Sequence, residues 1–121
     1  MDYREIGNNG IKVSSICLGT MNFSNPVNEQ DSIKMLHWSL DHGINFIDTA
    51  DIYEGYDRFM GSPGGKAESI IGEGLKGKRN QAIITTKVGN HVGNNEYEGM
   101  GLGKNHITHQ INASLKRMKT D

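Results

Sequence analysis

Three ionisable residues of this chain stand where they could act together on one proton. The stretch 44–48 is rich in apolar residues, which indicates a buried strand, and it ends in Asp48. Tyr53 follows five residues later, and Lys87 lies near the end of a second strand-like stretch, residues 82–88. An acid, a phenol and an amine at neighbouring strand ends can build a proton donor. The pattern therefore predicts a site that reduces carbonyl groups.

Length and composition indicate one small domain. The chain has 121 residues, of which 35% are hydrophobic and 22% charged, and this balance argues against disorder. The net charge of −1 provides no basic surface for nucleic acid or an anionic membrane. No stretch approaches the run of about 20 apolar residues that spans a bilayer. Residues 1–5 are charged and lack an apolar signal core, and the single cysteine, Cys17, excludes an internal disulfide. We therefore expect a cytoplasmic protein without nucleic-acid or membrane partners.

Periodicity and turn residues predict a hairpin followed by three β-α pairs. Residues 3–14 form the hairpin, because the Asn-Gly pair within residues 7–10 favours a tight turn. Asn28 is the predicted N-cap of the first helix, and Gly43 is its predicted C-terminal glycine. The other predicted elements are strands at 15–18, 44–48 and 82–88, helices at 67–75 and from about Asn105, and loops at 49–66 and 89–103. The last helix has a predicted apolar face of Ile107, Ile111, Leu115 and Met118.

Strands that alternate with helices imply a parallel sheet, either open and doubly wound or closed into a barrel. A dinucleotide-binding open sheet carries G-x-G-x-x-G directly after its first strand, and no such pattern follows Gly19 here. In a barrel, catalytic groups come from the carboxyl ends of strands, and parallel neighbours lie about 4.8 Å apart. Asp48 and Lys87 could therefore meet, with Thr85 on the same face as Lys87.

Five segments, taken in order along the chain, resemble the aldo-keto reductase family. They are residues 18–21, 43–53, 68–72, 85–89 and 107–118. Each segment alone is a weak signal, whereas the ordered set is specific. The resemblance implies an α/β fold, namely the N-terminal portion of a (β/α)8 TIM barrel with an N-terminal β-hairpin. Residues 1–121 would then form one partial barrel domain, truncated before the fourth strand.

The resemblance also implies a reaction and a set of residues. The reaction is the NAD(P)H-dependent reduction of an aldehyde or ketone to an alcohol, with NADPH as the expected cofactor and NADH as the less common one. The family's catalytic residues are Asp, Tyr, Lys and His, and the motifs match the first three to Asp48, Tyr53 and Lys87. The His belongs to the end of the fourth strand, so no histidine of this chain is assigned to it. The residues that the resemblance places near the nicotinamide are Gly19, Thr20, Met21 and Asp48.

The proton for the carbonyl oxygen would come from Tyr53, while the cofactor supplies the hydride. The ordinary pKa of a phenol, about 10, is high for a proton donor near neutrality, and a cation within about 4–6 Å lowers it. Lys87 would be that cation. Asp48 would hold Lys87 in place and keep it charged.

The remaining candidate residues are interpreted as structural. His106 and His109 lie one turn apart on the last helix without an evident third metal ligand, so we predict solvated side chains and no metal site. Met35 and Trp38 are predicted to be packing residues of the first helix. Cys17 is predicted to be a buried strand residue rather than a nucleophile.

Two other functions stay open at this point. The chain could be a non-catalytic nucleotide-sensing or interaction module. It could also be a short protein that completes its sheet by self-association or with a partner, because open sheet edges and an exposed apolar face invite association. Acting alone, the 121 residues are expected to show little or no reductase activity, since they provide too few strands to close a barrel.

Overall fold

The computed structural model describes residues 1–93 and 100–121, and within them it shows two small sheets and three α-helices. The strands are β1 (Tyr3–Glu5), β2 (Lys12–Ser14), β3 (Cys17–Gly19), β4 (Phe46–Asp48) and β5 (Ile83–Thr85). The helices are α1 (Glu29–Asp41), α2 (Lys66–Gly74) and α3 (Lys104–Met118), with short 3₁₀ turns at Gly55–Asp57 and Arg79–Gln81. Part of the predicted loop 89–103 lies outside the described residues.

The two sheets confirm the predicted hairpin and the predicted parallel order. Strands β1 and β2 pair antiparallel, with Tyr3 opposite Ser14. Strands β3, β4 and β5 form one parallel sheet in that order, so sequential strands are also spatial neighbours. Gly19, Asp48 and Thr85 are aligned in register across this sheet. The carboxyl ends of all three strands therefore meet at one edge.

The ends of helix α1 follow the predicted capping residues. The side chain of Asn28 accepts a hydrogen bond from the backbone N–H of Asp31 at 2.9 Å, as an N-cap does. Gly43 follows the C-cap residue His42 with a φ of 82°, a left-handed conformation that glycine adopts without a steric cost. The chain can therefore turn directly from α1 into β4.

The parallel strands are shorter than predicted, because β4 pairs regularly with its neighbours for only three residues. Beyond it, the ladder gives way to single backbone contacts. The N–H of Thr49 donates to the carbonyl of Thr85 at 2.9 Å, and the N–H of Asp51 donates to the carbonyl of Lys87 at 3.1 Å. The segment 49–53 carries Tyr53, which was predicted to be catalytic, and is here called the catalytic loop for that prediction. It is thus attached to the chain that follows β5.

The hydrophobic core lies between the parallel sheet and helices α1 and α2. Ile47 of β4 is fully buried on the helix-facing side, while its neighbour Asp48 points to the other side. The predicted inward residues of α2 are buried, as expected. The core consists of Phe23, Leu36, Ile47, Ala67, Ile70, Ile71, Leu75 and Ala82.

Two residues of helix α1 that were expected to pack against the core lie on its exposed face instead. Its buried positions are Ser32, Leu36 and Ser39. Met35 and Trp38 were predicted to be packing residues, and this is wrong, because both side chains are exposed. Trp38 instead stacks on the exposed ring of His42, with the ring centroids 3.9 Å apart.

The buried face of α3 also differs from the prediction. Ile107 and Ile111 were expected to face inward, but both are exposed, while Met118 is buried as predicted. The buried face lies one residue earlier and is mostly polar, consisting of His106, Gln110, Ser114 and Met118. Helix α3 packs on α2 with the backbone of Arg117 and Met118 close to Gly72, and this packing turns the buried row, rather than the two isoleucines, toward the interior.

Gly72 makes this close approach of α2 and α3 possible. We expect Gly72→Ala to destabilise the protein by about 1–3 kcal/mol, because an added methyl group would clash with the backbone of Arg117 and Met118. Gly74→Ala, in the same helix, is the matched control. Its methyl group would meet only movable side-chain atoms, with Leu36 Cδ2 the nearest at 2.9 Å. Equal unfolding free energies for the two variants in urea would contradict this account of the helix contact.

Candidate active site

The ammonium group of Lys87 and the carboxylate of Asp48 meet at the carboxyl edge of the parallel sheet. Lys87 Nζ donates to Asp48 Oδ2 at 2.6 Å and to the backbone carbonyl of Thr49 at 2.7 Å. Both side chains remain partly open to solvent, at 47% for Lys87 and 38% for Asp48. The contact therefore fixes the position of the lysine more than it stabilises the fold, because exposed ion pairs contribute little to stability.

The second oxygen of Asp48 is held by Thr85, whose side-chain hydroxyl donates to Asp48 Oδ1 at 3.0 Å. This contact follows from the strand register, because Asp48 and Thr85 are direct partners across β4 and β5. Sequence reasoning placed Thr85 on the same face as Lys87 but gave it no role. Its position two residues before the lysine was the available signal. The carboxylate is thus oriented from two sides.

Tyr53 completes the group predicted from the sequence. Lys87 Nζ lies 4.9 Å from the centroid of the Tyr53 ring, within the range of a cation–π contact. Main-chain hydrogen bonds hold the tyrosine on both sides, since its N–H donates to Ala50 at 3.1 Å and its carbonyl accepts from Ala67 at 3.0 Å. The structure therefore brings Asp48, Tyr53 and Lys87 together.

The lysine is held in its charged form. Partial burial lowers the pKa of Lys87, but the hydrogen bonds to Asp48 and Tyr53 outweigh this effect and keep its pKa above the ordinary value of 10.5. At neutral pH the group is therefore a stable cation beside the phenol.

The residues predicted to contact a cofactor lie at the same edge, with different degrees of access. Gly19 is in register with Asp48, and an added methyl group there would meet no atom within 4 Å, so its backbone is open to a ligand. Met21 is exposed next to it. Thr20 is fully buried, and its hydroxyl donates to the carbonyl of Asp48 at 2.9 Å. Gly19 and Met21 are thus accessible to a ligand, whereas the buried side chain of Thr20 supports the strand ends.

A pocket of about 140 Å³ opens beside Tyr53. The residues that line it are Met21, Ile52, Tyr53, Glu54, Gly55 and Arg58.

A buried ion pair beneath the site joins α2, α3 and the end of β5. Glu68 is fully buried, and its carboxylate accepts from Arg117 Nε at 2.7 Å and from the Thr86 hydroxyl at 2.6 Å. Arg117 also donates to the Ser114 hydroxyl at 3.1 Å. Because Thr86 directly precedes Lys87, this network positions the backbone that carries the lysine. Sequence reasoning missed it, because its members lie far apart along the chain.

Two further polar side chains are buried close to this ion pair. Asp51 is 1% exposed and His106 is 2% exposed. His106 was predicted to be a solvated helix residue, and this is wrong, because it lies on the face of α3 that packs inward. Burial first, and then the carboxylate of Glu68, raises the pKa of Asp51 from 3.8 to about 6, against the opposing charges of Arg117 and His106.

Cys17 also departs from its predicted environment. It was expected to be buried, and this is wrong, because its side chain is exposed. The reason is strand alternation, because its neighbour Leu18 packs against the core and Cys17 therefore points to the opposite face of the sheet. This position leaves its side chain without a covering layer.

Two kinds of feature are absent from the part of the chain that the structure describes. None of its helices is both long enough and apolar enough to cross a bilayer. The same residues contain no cluster of three or more histidine, cysteine or acidic side chains arranged to hold a metal ion.

Comparison with known proteins supports the resemblance inferred from the sequence. Residues 15–121 match the model of the aldo/keto reductase family. An aldo-keto reductase from Bacillus halodurans, solved in its holo form, superposes with a TM-score of 0.79 at 32% identity. That match covers 100% of this chain and 37% of the other. The predicted fold class, an α/β chain forming the hairpin and first β/α units of a TIM barrel, is confirmed.

Two curated relatives match over the whole length of this chain. An uncharacterized oxidoreductase of Bacillus subtilis (strain 168) is 37% identical over 37% of its own length. A protein of Arabidopsis thaliana named "Probable voltage-gated potassium channel subunit beta" is 31% identical over 35% of its length. This chain therefore spans little more than a third of the relatives that it matches.

The raised pKa of Asp51 predicts how stability depends on pH. Below about pH 4 the carboxyl is protonated in both the folded and the unfolded chain, and its burial is tolerated. Between about pH 4 and pH 6 the unfolded chain ionises while the folded carboxyl stays mostly protonated, so stability falls across this range and the loss levels off above about pH 6. We therefore expect Asp51→Asn, which stays neutral, to gain stability over the unmodified protein between pH 4 and pH 7, by up to about 3 kcal/mol.

Urea unfolding at a series of pH values measures this difference. Asp2→Asn is the control, because Asp2 is exposed and its replacement should produce no comparable gain. A constant difference between Asp51→Asn and the unmodified protein from pH 4 to pH 7 would show that Asp51 is not held in an unfavourable charged form.

Proposed function

The chain belongs to the aldo/keto reductase family of oxidoreductases, and we propose that it supplies Asp48, Tyr53 and Lys87 to the active site of an NAD(P)H-dependent reductase of aldehydes and ketones. The observation that carries this proposal is the contact of 2.6 Å between Lys87 and Asp48, with the Tyr53 ring 4.9 Å from the ammonium group. A charged lysine beside a phenol is the arrangement that proton donation to a carbonyl oxygen needs.

Tyr53, Lys87 and Asp48 have separate roles in the proposed transfer of a proton to the carbonyl oxygen. As the carbonyl carbon accepts a hydride, negative charge develops on the carbonyl oxygen, and the O–H bond of Tyr53 breaks to deliver a proton there. The electron pair stays on the phenolate oxygen, where the Lys87 ammonium stabilises it. Asp48 keeps the ammonium group in place through its contact of 2.6 Å. A proton from solvent then restores the phenol.

The proposed cofactor is NADPH, with NADH as the alternative, and it supplies the hydride when bound. The open backbone at Gly19, the exposed side chain of Met21 and the carboxylate edge at Asp48 would form one wall of its nicotinamide site. Thr20 would act from beneath, because its hydroxyl already binds the carbonyl of Asp48. The cytoplasmic location predicted from the sequence stays a prediction.

The activity is proposed for the full-length protein, by which we mean these residues joined to the remaining strands of a closed barrel. The chain covers 37% of the Bacillus halodurans enzyme. In the described residues, the parallel sheet has three strands, and the rest of the barrel would bring the fourth catalytic residue, a histidine. The 121 residues by themselves are expected to show little or no turnover and to self-associate through their open sheet edges.

Replacement of the proposed proton donor tests this function. We expect Tyr53→Phe in the full-length protein to lower kcat for aldehyde-dependent NADPH oxidation by at least about 100-fold, because the ring remains but the proton is gone. Tyr56→Phe is the matched control, since Tyr56 is exposed in the same loop and should leave the rate unchanged. Turnover of a panel of small aldehydes and ketones, followed by the absorbance of NADPH, measures both variants. A Tyr53→Phe variant that keeps its rate would overturn the proposal.

A non-catalytic nucleotide-sensing module is the second candidate. One observation favours a role of this general kind, the 31% identity to the Arabidopsis thaliana protein named as a potassium channel subunit, since that name denotes a subunit of an assembly rather than an enzyme. A sensor of this kind would bind NADPH without oxidising it. Binding of NADPH by the full-length protein, combined with no oxidation across the carbonyl panel, would favour the sensor over the reductase.

A further inference from the structure

Asp51 and His106 are buried polar side chains that the proposed reaction does not use. Among the described residues, Asp51 Oδ2 and both ring nitrogens of His106 have no hydrogen-bond partner. Their exposed fractions are only 1% and 2%. Because an unpaired buried polar group destabilises a fold by about 1–3 kcal/mol, each of these groups calls for a physical explanation.

The two side chains are buried in different elements, near the same ion pair of Glu68 and Arg117. Asp51 lies in the catalytic loop, and His106 lies in the first turn of α3. The charge of His106 acts on the Asp51 carboxyl, and the other charged groups that act on it are Glu68 from α2 and Arg117 from α3. Glu68 and Arg117 are already paired with each other at 2.7 Å. Asp51 and His106 are therefore the two groups of this cluster whose polar atoms are left over.

Their chemistry is complementary. The unpaired carboxyl oxygen of Asp51 accepts hydrogen bonds, whereas an imidazole always has at least one N–H to donate. One ordered water molecule between Asp51 and His106 would satisfy the polar atoms of both, because a buried water molecule typically bridges otherwise unpaired polar groups.

The location of Asp51 connects this pair to the proposed proton donor. Its backbone N–H donates to the carbonyl of Lys87 at 3.1 Å, and Tyr53 follows two residues later. The side chain of Asp51 is thus the point at which α3 can hold the catalytic loop from the interior.

We propose that Asp51 and His106 are a positioning pair for Tyr53, joined through one buried water molecule that accepts from or donates to the imidazole and donates to the carboxyl oxygen. The pair ties the first turn of α3 to the catalytic loop, so that the phenol of Tyr53 stays aligned with Lys87 and with the carbonyl oxygen of the substrate. This role rests on the proposed reductase function, but the water-bridged contact itself does not.

The first experiment measures the effect of the pair on proton transfer in the full-length protein. We expect His106→Leu to lower kcat by about 10- to 100-fold and leave the KM for NADPH within about twofold, because a displaced donor slows the proton step. The solvent deuterium isotope effect on kcat should rise for the same reason. His106→Gln, which keeps an N–H donor, should restore most of the rate. His109→Leu, an exposed position on the same helix, is the control.

A purely structural role for His106 gives a different result. His106→Leu would then lower kcat only in proportion to the fraction of folded enzyme, and the solvent isotope effect would stay at the value of the unmodified protein. Failure of His106→Gln to recover the rate would have the same meaning. Either outcome would overturn the positioning role.

The second experiment tests the water-bridged contact without any turnover. The ¹⁵N chemical shifts of the His106 imidazole report which ring nitrogen carries the proton. We expect these shifts to change when Asp51 is replaced by Ala or, if that variant does not fold, by Asn, and to stay constant in Asp2→Asn. Unchanged shifts in the Asp51 variants would overturn the pair even if the protein is an active reductase. If Tyr53→Phe retains full activity, the reductase proposal fails instead, while the shifts still decide the pair.

Discussion

The arrangement of the site depends on the buried carboxylate of Glu68. This group is removed from water entirely, so its charge must be balanced by the guanidinium of Arg117 and the hydroxyl of Thr86. The three residues belong to α2, to α3 and to the chain just after β5. Movement of any of these elements relative to the others would break a hydrogen bond or the ion pair to this buried carboxylate. Because Lys87 follows Thr86 directly, the position of the lysine backbone is fixed by a contact in the interior of the domain.

The remaining geometry follows from the register of three short parallel strands. Alignment of Gly19, Asp48 and Thr85 places an open backbone, a carboxylate and a hydroxyl in one row at the carboxyl edge. Lys87 reaches back to this row, and its carbonyl accepts the N–H of Asp51 from the catalytic loop. The ion pair is still partly exposed, at 47% and 38% for its two side chains. The electrostatic effect of this ion pair on a charge at Tyr53 is therefore weak in this chain. It would grow in a closed barrel that excludes water from the site.

The strand-and-helix order and the meeting of Asp48 with Lys87 could be predicted from the sequence, because both depend on local periodicity and on parallel strands sharing one end. The caps at Asn28 and Gly43 were predicted for the same local reason. The inward face of α3 could not be predicted from hydrophobicity. His106 is buried because its surroundings come from segments far away along the chain, and a pattern of apolar residues carries no information about them. The same holds for Glu68, whose partner Arg117 lies in another helix.

The central claim is that Lys87 and Tyr53 act as one unit on one proton. Its most direct test is to compare kcat for carbonyl reduction in Lys87→Met, Tyr53→Phe and the double variant of the full-length protein. If the lysine acts only through the phenol, the double variant will be no slower than the slower single variant, because effects of residues that act as a unit are not additive. Losses that multiply in the double variant, or a Lys87→Met variant with an unchanged rate, would contradict the claim.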